Sequence, residues 1–343
     1  MTFNQPPGPA SSGQPRPTVV IITTGGTIAS RLDPATDTVV PAVSGADLVT
    51  AVPGLAEHAQ VEVQPFMNVL GPAMSIADLF SLAQRCNQAL ERLEVAGVVV
   101  TAGTGIIEEG SYLCDLMNTT TKPIVWTGAQ YSADMWDTDG PRNLLDAVRL
   151  AAHPDAASLG AVVCFNQSIN AARDVLKHNT TNVETFTSLD LGILGYVNED
   201  RVVIVRRPAQ RRSYAVDHLE ENVDLIKLAA GSDDRFLRTS IAAGAKGIVI
   251  EGLPGVGIVT PGSLPGVVAA REAGIAVVLA SRSLTGRTLS KYGGEIGARD
   301  LVKLGVLLAG NLAAPKARLL LMVLLGLSDD AVVLRERFED ASP

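Results

Sequence analysis

Two threonines, each just after an apolar run and beside glycine, are the residues of this chain best placed to do chemistry. Thr27 ends the segment Thr-Thr-Gly-Gly-Thr at 23–27, and Thr104 lies in Thr-Ala-Gly-Thr-Gly at 101–105. Glycine at a strand end lets backbone N–H groups approach a ligand closely. A threonine hydroxyl held there can attack a carbonyl carbon if a neighbouring group takes its proton. Either turn alone could merely link a strand to a helix, so the hypothesis depends on the pair.

The elements around these threonines alternate between strand-like and helical patterns. Apolar runs predict strands at 18–23, 98–101, 124–127, 161–165 and 202–205, and helices are predicted at 74–93 and 142–152. Such alternation predicts a mostly parallel sheet with right-handed crossovers. Because open α/β sheets bind ligands at the carboxyl ends of their strands, Thr27 and Thr104 are expected to face one crevice.

Length and composition predict an α/β protein with a larger N-terminal, mostly parallel-sheet domain and a smaller C-terminal α/β domain. The chain has 343 residues, of which 47% are hydrophobic and only 4% aromatic, as in parallel sheets covered by helices. The predicted organisation is a disordered tail at 1–17, a catalytic domain at 18–205, a linker at 206–222 and a second domain at 223–343. In the second domain, strands are predicted at 224–228, 247–251 and 276–280, and helices at 233–243, 263–273 and 314–326. The apolar run 319–325 suits a core or a subunit-interface helix.

Composition disfavours several classes of function. A net charge of -8 argues against a nucleic-acid surface, and the arginine pairs at 206–207 and 211–212 are expected to solvate the linker. The four histidines lack metal-ligand spacing and no dinucleotide or Walker motif follows a strand, so neither a metal nor a cofactor is predicted. Scattered cysteines at 86, 114 and 164, and the lack of an apolar stretch of about 20 residues, predict a cytoplasmic protein without membrane contact.

Four motifs in order along the chain resemble those of the bacterial asparaginase/glutaminase family. The family segments Thr-Gly-Gly-Thr-Ile-Ala, Asp-Gly-Pro-x-Asn-Leu and Ala-Arg-x-Val-x-Lys match 24–29, 139–144 and 172–177. The family signature Thr-His-Gly-Thr-Asp-Thr-Leu/Met-Glu-Glu is similar to 101–109, which read Thr-Ala-Gly-Thr-Gly-Ile-Ile-Glu-Glu. The resemblance runs from about residue 17 to the C-terminal end. It implies an amidohydrolase acting on a small-molecule amide and assembling as a homodimer or homotetramer.

The resemblance also implies roles for particular residues. Thr27 is the implied nucleophile, and Thr104 and Lys177 are the other implied catalytic residues. The implied substrate-binding positions are Gly26, Gly71, Gly103, Gly105 and Ala129. Most lysines simply solvate a surface, but Lys177 lies in a polar, asparagine-rich segment, and desolvation against neutral partners lowers the pKa of a lysine enough for it to act as a base. Glu108 and Glu109 are interpreted as residues that favour the start of a helix.

Two glycines and a proline depart from the family's substrate-binding pattern. Gly105 stands where the family has aspartate, and Gly71 and Pro72 stand where it has a serine followed by glutamine or glutamate. Those family side chains bind the α-amino and α-carboxylate groups of asparagine. Because an unpaired buried charge costs several kcal/mol, free L-asparagine is expected to bind poorly here, which favours a lactam or a modified carboxamide.

The tyrosine that helps to activate the family's nucleophile is also missing. Residues 31–50, which correspond to the mobile loop after the nucleophile, contain no tyrosine. Another group must take the proton, either the Thr104 and Lys177 pair or the auxiliary candidates Tyr292 and Glu295 in a glycine-rich loop. Three hypotheses stay open: an amidohydrolase with a threonine acyl-enzyme, a non-catalytic homologue that binds a small molecule or a partner, and a nucleotide-binding α/β protein. The last is the weakest, because no dinucleotide or Walker motif follows a strand.

Overall fold

The structure, a computed structural model, describes residues 16–199, 201–209 and 211–342. It confirms a large N-terminal α/β domain with a mostly parallel sheet, followed by a smaller C-terminal domain with a parallel sheet. Of the tail predicted at 1–17, residues 1–15 lie outside the described part of the chain. We retain the predicted boundaries 18–205, 206–222 and 223–343 as a proposal.

The N-terminal domain is built on an eight-stranded sheet. The strands of the domain are β1 (Thr18–Gly25), β2 (Ser30–Asp33), β3 (Thr38–Pro41), β4 (Gln60–Val69), β5 (Val95–Thr101), β6 (Ile124–Thr127), β7 (Ala161–Phe165), β8 (Ser168–Ala171), β9 (Leu176–Lys177), β10 (Phe186–Thr187), β11 (Gly195–Asn198) and β12 (Arg201–Ile204). Outside the large sheet, β2 pairs with β3 and β9 with β10. The helices of the domain are α1 (Gly45–Thr50), α2 (Leu55–His58), α3 (Ile76–Glu91), α4 (Ile107–Met117) and α5 (Gly140–Ala152). The sheet order is β12-β11-β8-β7-β6-β5-β1-β4, parallel from β4 to β7 and antiparallel beyond β7.

The C-terminal domain repeats the parallel arrangement on a smaller scale. Its strands are β13 (Val223–Lys227), β14 (Gly247–Gly252), β15 (Ala276–Ser281) and β16 (Leu307–Leu308). Its helices are α6 (Arg235–Ala242), α7 (Leu264–Glu272), α8 (Ala298–Lys303), α9 (Ala314–Leu327) and α10 (Ala331–Ala341). The four strands pair in chain order, all in parallel.

Burial on both faces explains why β1 reads as a continuous apolar run. Val20 and Ile22 pack in the cluster that includes α3 and α4, whereas Val19 and Ile21 pack with α5 on the other face. The apolar run at 319–325 lies on α9, and its residues up to Leu324 are buried against α4 and the C-terminal strands of the same chain. This run is therefore part of the core. No helix among the residues that the structure describes is long and apolar enough to cross a membrane.

The expectation that the linker arginines are solvated is wrong for Arg211, whereas Arg206 and Arg207 are exposed but bound to backbone carbonyl groups. Arg211 Nε donates to Oδ1 of the buried Asp115 at 2.7 Å, and Arg207 donates to the carbonyl oxygens of Ala157 and Asp155 at 2.6 and 2.8 Å. A buried carboxylate needs donors to offset the loss of its hydration. The arginines therefore fasten the linker to the N-terminal domain. The elements that were not predicted include strand β4, the β2–β3 hairpin and a helix, α10, after α9.

Candidate active site

Three glycine turns meet at the carboxyl edge of the large sheet. A Cβ atom added to Gly26 would lie 2.2 Å from the backbone nitrogen of Gly103, and one added to Gly103 would lie 2.8 Å from that of Gly71. Gly26 also has a φ of 80°, in the region that favours glycine. Only glycine allows the backbones to approach this closely, and the contact sets the turn carrying Thr27 against the turn carrying Thr104.

The structure brings Thr104 and Lys177 together. Lys177 Nζ lies 2.7 Å from Thr104 Oγ1, although the residues are 73 positions apart in the chain. The hydroxyl is on a buried side chain, and the lysine is half-buried. The lysine lies on the short strand β9, where its backbone N–H donates to Glu108 Oε2 at 3.0 Å. Glu108, interpreted from sequence as a helix-start residue, thus also anchors the strand that carries the lysine.

Burial lowers the pKa of Lys177. No carboxylate oxygen of a described residue lies within ion-pair distance of its Nζ, so no opposite charge offsets the desolvation. Its second partner is a neutral group, Gln130 Oε1 at 3.2 Å. The lysine therefore reaches its neutral form at lower pH than an exposed lysine does.

Sequence reasoning missed Gln130. It follows Ala129 in the turn after β6, the fourth parallel strand in chain order that ends at this edge. Asp139 accepts hydrogen bonds from the backbone N–H groups of Gln130 and Tyr131 at 3.0 Å, which fixes the turn. The sequence signal that could have identified Gln130 is its position in the turn directly after strand β6. Ala129 itself is fully buried, so its side chain does not line the crevice, and its predicted substrate contact would have to come from the backbone.

The predicted substrate-binding end of the site is neutral and open at one glycine. Gly105 is exposed, and a Cβ atom there would meet only Pro72, at 3.7 Å from its Cγ. A Cβ atom on Gly71 would lie 3.2 Å from the carbonyl oxygen of Gly103, which is tighter. These positions offer no carboxylate, hydroxyl or amide side chain.

The hairpin after Thr27 and the C-terminal glycine-rich loop are the two segments in which sequence analysis sought a further group to activate the nucleophile. The β2–β3 hairpin contains no tyrosine and is held by Leu32 N, which donates to Asp134 Oδ2 at 3.0 Å. Tyr292 and Glu295 lie in an exposed loop before α8. Within the described chain, neither forms a side-chain hydrogen bond with Thr27 or with the Thr104 and Lys177 pair.

This fold and this edge of glycine turns, hydroxyls and a half-buried lysine define an α/β protein with a candidate site at the carboxyl ends of its parallel strands. Comparison with protein families identifies the particular family. The model for the N-terminal asparaginase domain matches residues 18–210, and the model for the glutaminase/asparaginase C-terminal domain matches 222–338. The chain belongs to the asparaginase family and is an enzyme that hydrolyses the carbon–nitrogen bond of an amide.

Individual relatives match along most of the chain. The L-asparaginase of Bacillus licheniformis is 32% identical over 307 residues, which cover 90% of this chain and 95% of that protein. L-asparaginase 2 of Escherichia coli (strain K12) is 33% identical over 330 residues, covering 94% and 92%. The crystal structure of a probable cytoplasmic L-asparaginase from Campylobacter jejuni superposes with a TM-score of 0.84 at 27% identity, covering 94% of this chain and 99% of that one. The hypothesis of a non-catalytic homologue is not favoured.

Proposed function

We propose that this amidohydrolase uses Thr27 as its nucleophile and forms an acyl-enzyme. The hydroxyl oxygen attacks the carbonyl carbon, the C–N bond breaks, and the leaving nitrogen departs with the proton that the hydroxyl lost. Water then attacks the ester, releases the acid and restores the hydroxyl. The observation that carries this proposal is the 2.7 Å contact between Lys177 and Thr104, beside the junction of Gly26 and Gly103.

In this proposal, Lys177 and Thr104 move the proton. The neutral amine accepts the proton of the Thr104 hydroxyl, whose oxygen accepts a proton from the attacking group. Burial favours this step because it lowers the pKa of Lys177. Tyr292 and Glu295 stay auxiliary candidates, and because neither forms a side-chain hydrogen bond with the pair within the described chain, a neighbouring protomer is their proposed source.

We further propose that the substrate is a small amide without a free α-amino group, such as a lactam or a modified carboxamide. An α-ammonium group in a closed site needs a positioned anion or loses several kcal/mol. Gly105 supplies none, and Gly71 and Pro72 supply neither a hydroxyl nor an amide. This neutral end of the site therefore suits a ligand that carries no ammonium group there.

We also propose a homodimer or homotetramer located in the cytoplasm. Exposed apolar residues after β15, Leu284 and Tyr292, support assembly, since an isolated protomer would leave them in water. Three buried, unpaired cysteines support a reducing compartment.

The test compares L-asparagine with succinamate, which lacks only the α-amino group, and with 2-pyrrolidinone, a lactam. We expect kcat/KM to be at least about tenfold higher for succinamate or the lactam than for L-asparagine. Thr27→Ala should abolish hydrolysis of every substrate, whereas the control Thr239→Ala, in α6 of the other domain, should not. Near wild-type turnover by Thr27→Ala would remove Thr27 from the mechanism. A kcat/KM of about 10⁴ M⁻¹s⁻¹ or more for L-asparagine would refute the proposed specificity.

A further inference from the structure

Every polar atom of the Gln130 side chain is engaged at the candidate site. Its Oε1 accepts from Lys177 Nζ at 3.2 Å. Its Nε2 donates to the carbonyl oxygens of Thr180 and Asn182 at 3.2 and 3.0 Å. Its backbone N–H donates to the carboxylate of Asp139. The side chain thus bridges the amine and the loop that follows β9.

The two carbonyls fix which way the amide points. A carbonyl oxygen can only accept, so the amide nitrogen must face Thr180 and Asn182, and the amide oxygen must face Lys177. An amide oxygen also only accepts. Lys177 must therefore donate one N–H to Gln130 whether it is charged or neutral, and in the neutral form its lone pair is left for its other partner, Thr104.

Within the described chain, no charged side chain forms a hydrogen bond or an ion pair with Lys177 Nζ. Glu108 on α4 accepts from its backbone rather than from Nζ, and Asp139 accepts from the backbone of the Gln130 turn and from the Asn143 side chain. The remaining charged or titratable groups on the cavity that Lys177 borders are Arg173, Asp174, His178, Asp190, Glu251, Arg282 and Arg287. None of the carboxylates among them forms an ion pair with Nζ in the described chain. The direct partners of the amine are both neutral.

We propose that Gln130 is a positioning residue that directs the Lys177 lone pair toward Thr104 and, being neutral, keeps the amine free to lose its proton. The inference rests on the proposed function, because only a lysine that acts as a base needs this arrangement. A carboxylate at the same place would stabilise the ammonium form instead. An apolar side chain would offer no hydrogen-bond acceptor to orient the amine and its lone pair.

Two variants separate these effects. Gln130→Glu keeps the size but places a charge beside Nζ, so the acid limb of the kcat/KM profile should move up by about 1 pH unit or more. Gln130→Met keeps the length without the hydrogen bonds, so kcat should fall at least severalfold while the acid limb does not move upward. Circular dichroism establishes that both variants are folded.

A second readout does not depend on the substrate. The rate at which acetic anhydride labels Lys177, followed by peptide mass spectrometry across pH, reports its protonation, with the exposed Lys246 as internal reference. We expect labelling of Lys177 to rise at lower pH than labelling of Lys246 in the wild type, and at higher pH than wild type in Gln130→Glu. Identical labelling curves for Lys177 in folded wild type and Gln130→Glu would overturn the inference. Absence of hydrolysis in the wild type would instead count against the proposed function.

Discussion

At the scale of single residues, removing the Thr104 hydroxyl tests whether the proton of the attacking group passes through this residue to Lys177. Thr104→Val preserves shape but removes the oxygen that lies 2.7 Å from Lys177 Nζ. Loss of a positioned proton-transfer group costs about 10²–10⁴-fold, so we expect kcat to fall by at least about 10²-fold with little change in KM. Thr104→Ser, which keeps the hydroxyl, is the matched control. An increase in KM alone would assign Thr104 to binding.

Gly105 is the residue at which substrate preference can be altered with least disturbance. A Cβ atom there meets only Pro72, at 3.7 Å or more, whereas Gly71 has no comparable room. Gly105→Asp should raise kcat/KM for L-asparagine by at least about tenfold, because it supplies an anion for the ammonium group. It should also lower kcat/KM for succinamate. Gly105→Ala controls for added bulk, and equal effects of both substitutions on L-asparagine would contradict the reading.

The proximity of Thr104 and Lys177 could be predicted from sequence because recognisable motifs carry both residues, whereas their catalytic roles stay predictions. Thr104 and Lys177 stand in motifs, and the structure places their side chains in contact. Gln130 is a single residue in a turn, so no pattern distinguishes it until the loop at 179–182 folds back over it. The fully buried side chain of Ala129 could not be foreseen either, because it depends on packing against the start of α5.

At the scale of elements, α9 fastens the C-terminal domain to the strand that carries Lys177. Lys316 on α9 is fully buried, and its Nζ donates to the carbonyl oxygens of Arg173 and Val175 at 3.0 and 2.5 Å. Lys316→Met would leave both carbonyls without a donor, at a cost of about 1–3 kcal/mol each. We expect lower unfolding free energy in urea and a lower kcat. Lys246→Met, the same change at an exposed position, should alter neither.

The same lysine predicts a pH dependence of stability. Burial lowers the pKa of Lys316 to about 8, against about 10.4 in the unfolded chain. Between these values the unfolded state holds the proton and the folded state does not, so this group makes stability rise with pH. The unfolding free energy of the wild type relative to Lys316→Met should therefore increase from about pH 8 to about pH 10. A difference that stays constant over this range would contradict the assignment.

Element predictions were accurate where burial on both faces produces an unbroken apolar run. Strands β6 and β7 have the predicted bounds, and helix α9 departs from its prediction by one residue. Strand β4 was missed because it lies at the sheet edge, where most of its residues are partly exposed and its pattern is mixed. Arg211 was misread because its buried partner, Asp115, is 96 positions away in the chain.

At the scale of the whole molecule, exposed apolar side chains in the C-terminal loops bear on assembly. Leu284 is 70% exposed and Tyr292 48% exposed, and both lie in the loops between β15 and α8. We expect light scattering to show a dimer or tetramer, and Leu284→Asp to shift it toward monomer with loss of activity. Leu93→Asp is the control, because Leu93 is 96% exposed but precedes β5, at the opposite edge of the sheet from the site. A fully active wild-type monomer would rule out this model of assembly.

The central claim, that catalysis proceeds through an acyl-enzyme on Thr27, is tested most directly by trapping the adduct. The enzyme is mixed with the best substrate of the amide panel, quenched in acid during turnover and mapped by peptide mass spectrometry. The mechanism predicts the mass of one acyl group on the peptide that contains Thr27, and its absence in Thr27→Ala. An adduct on Thr104 instead, or rapid turnover by Thr27→Ala, would contradict the claim.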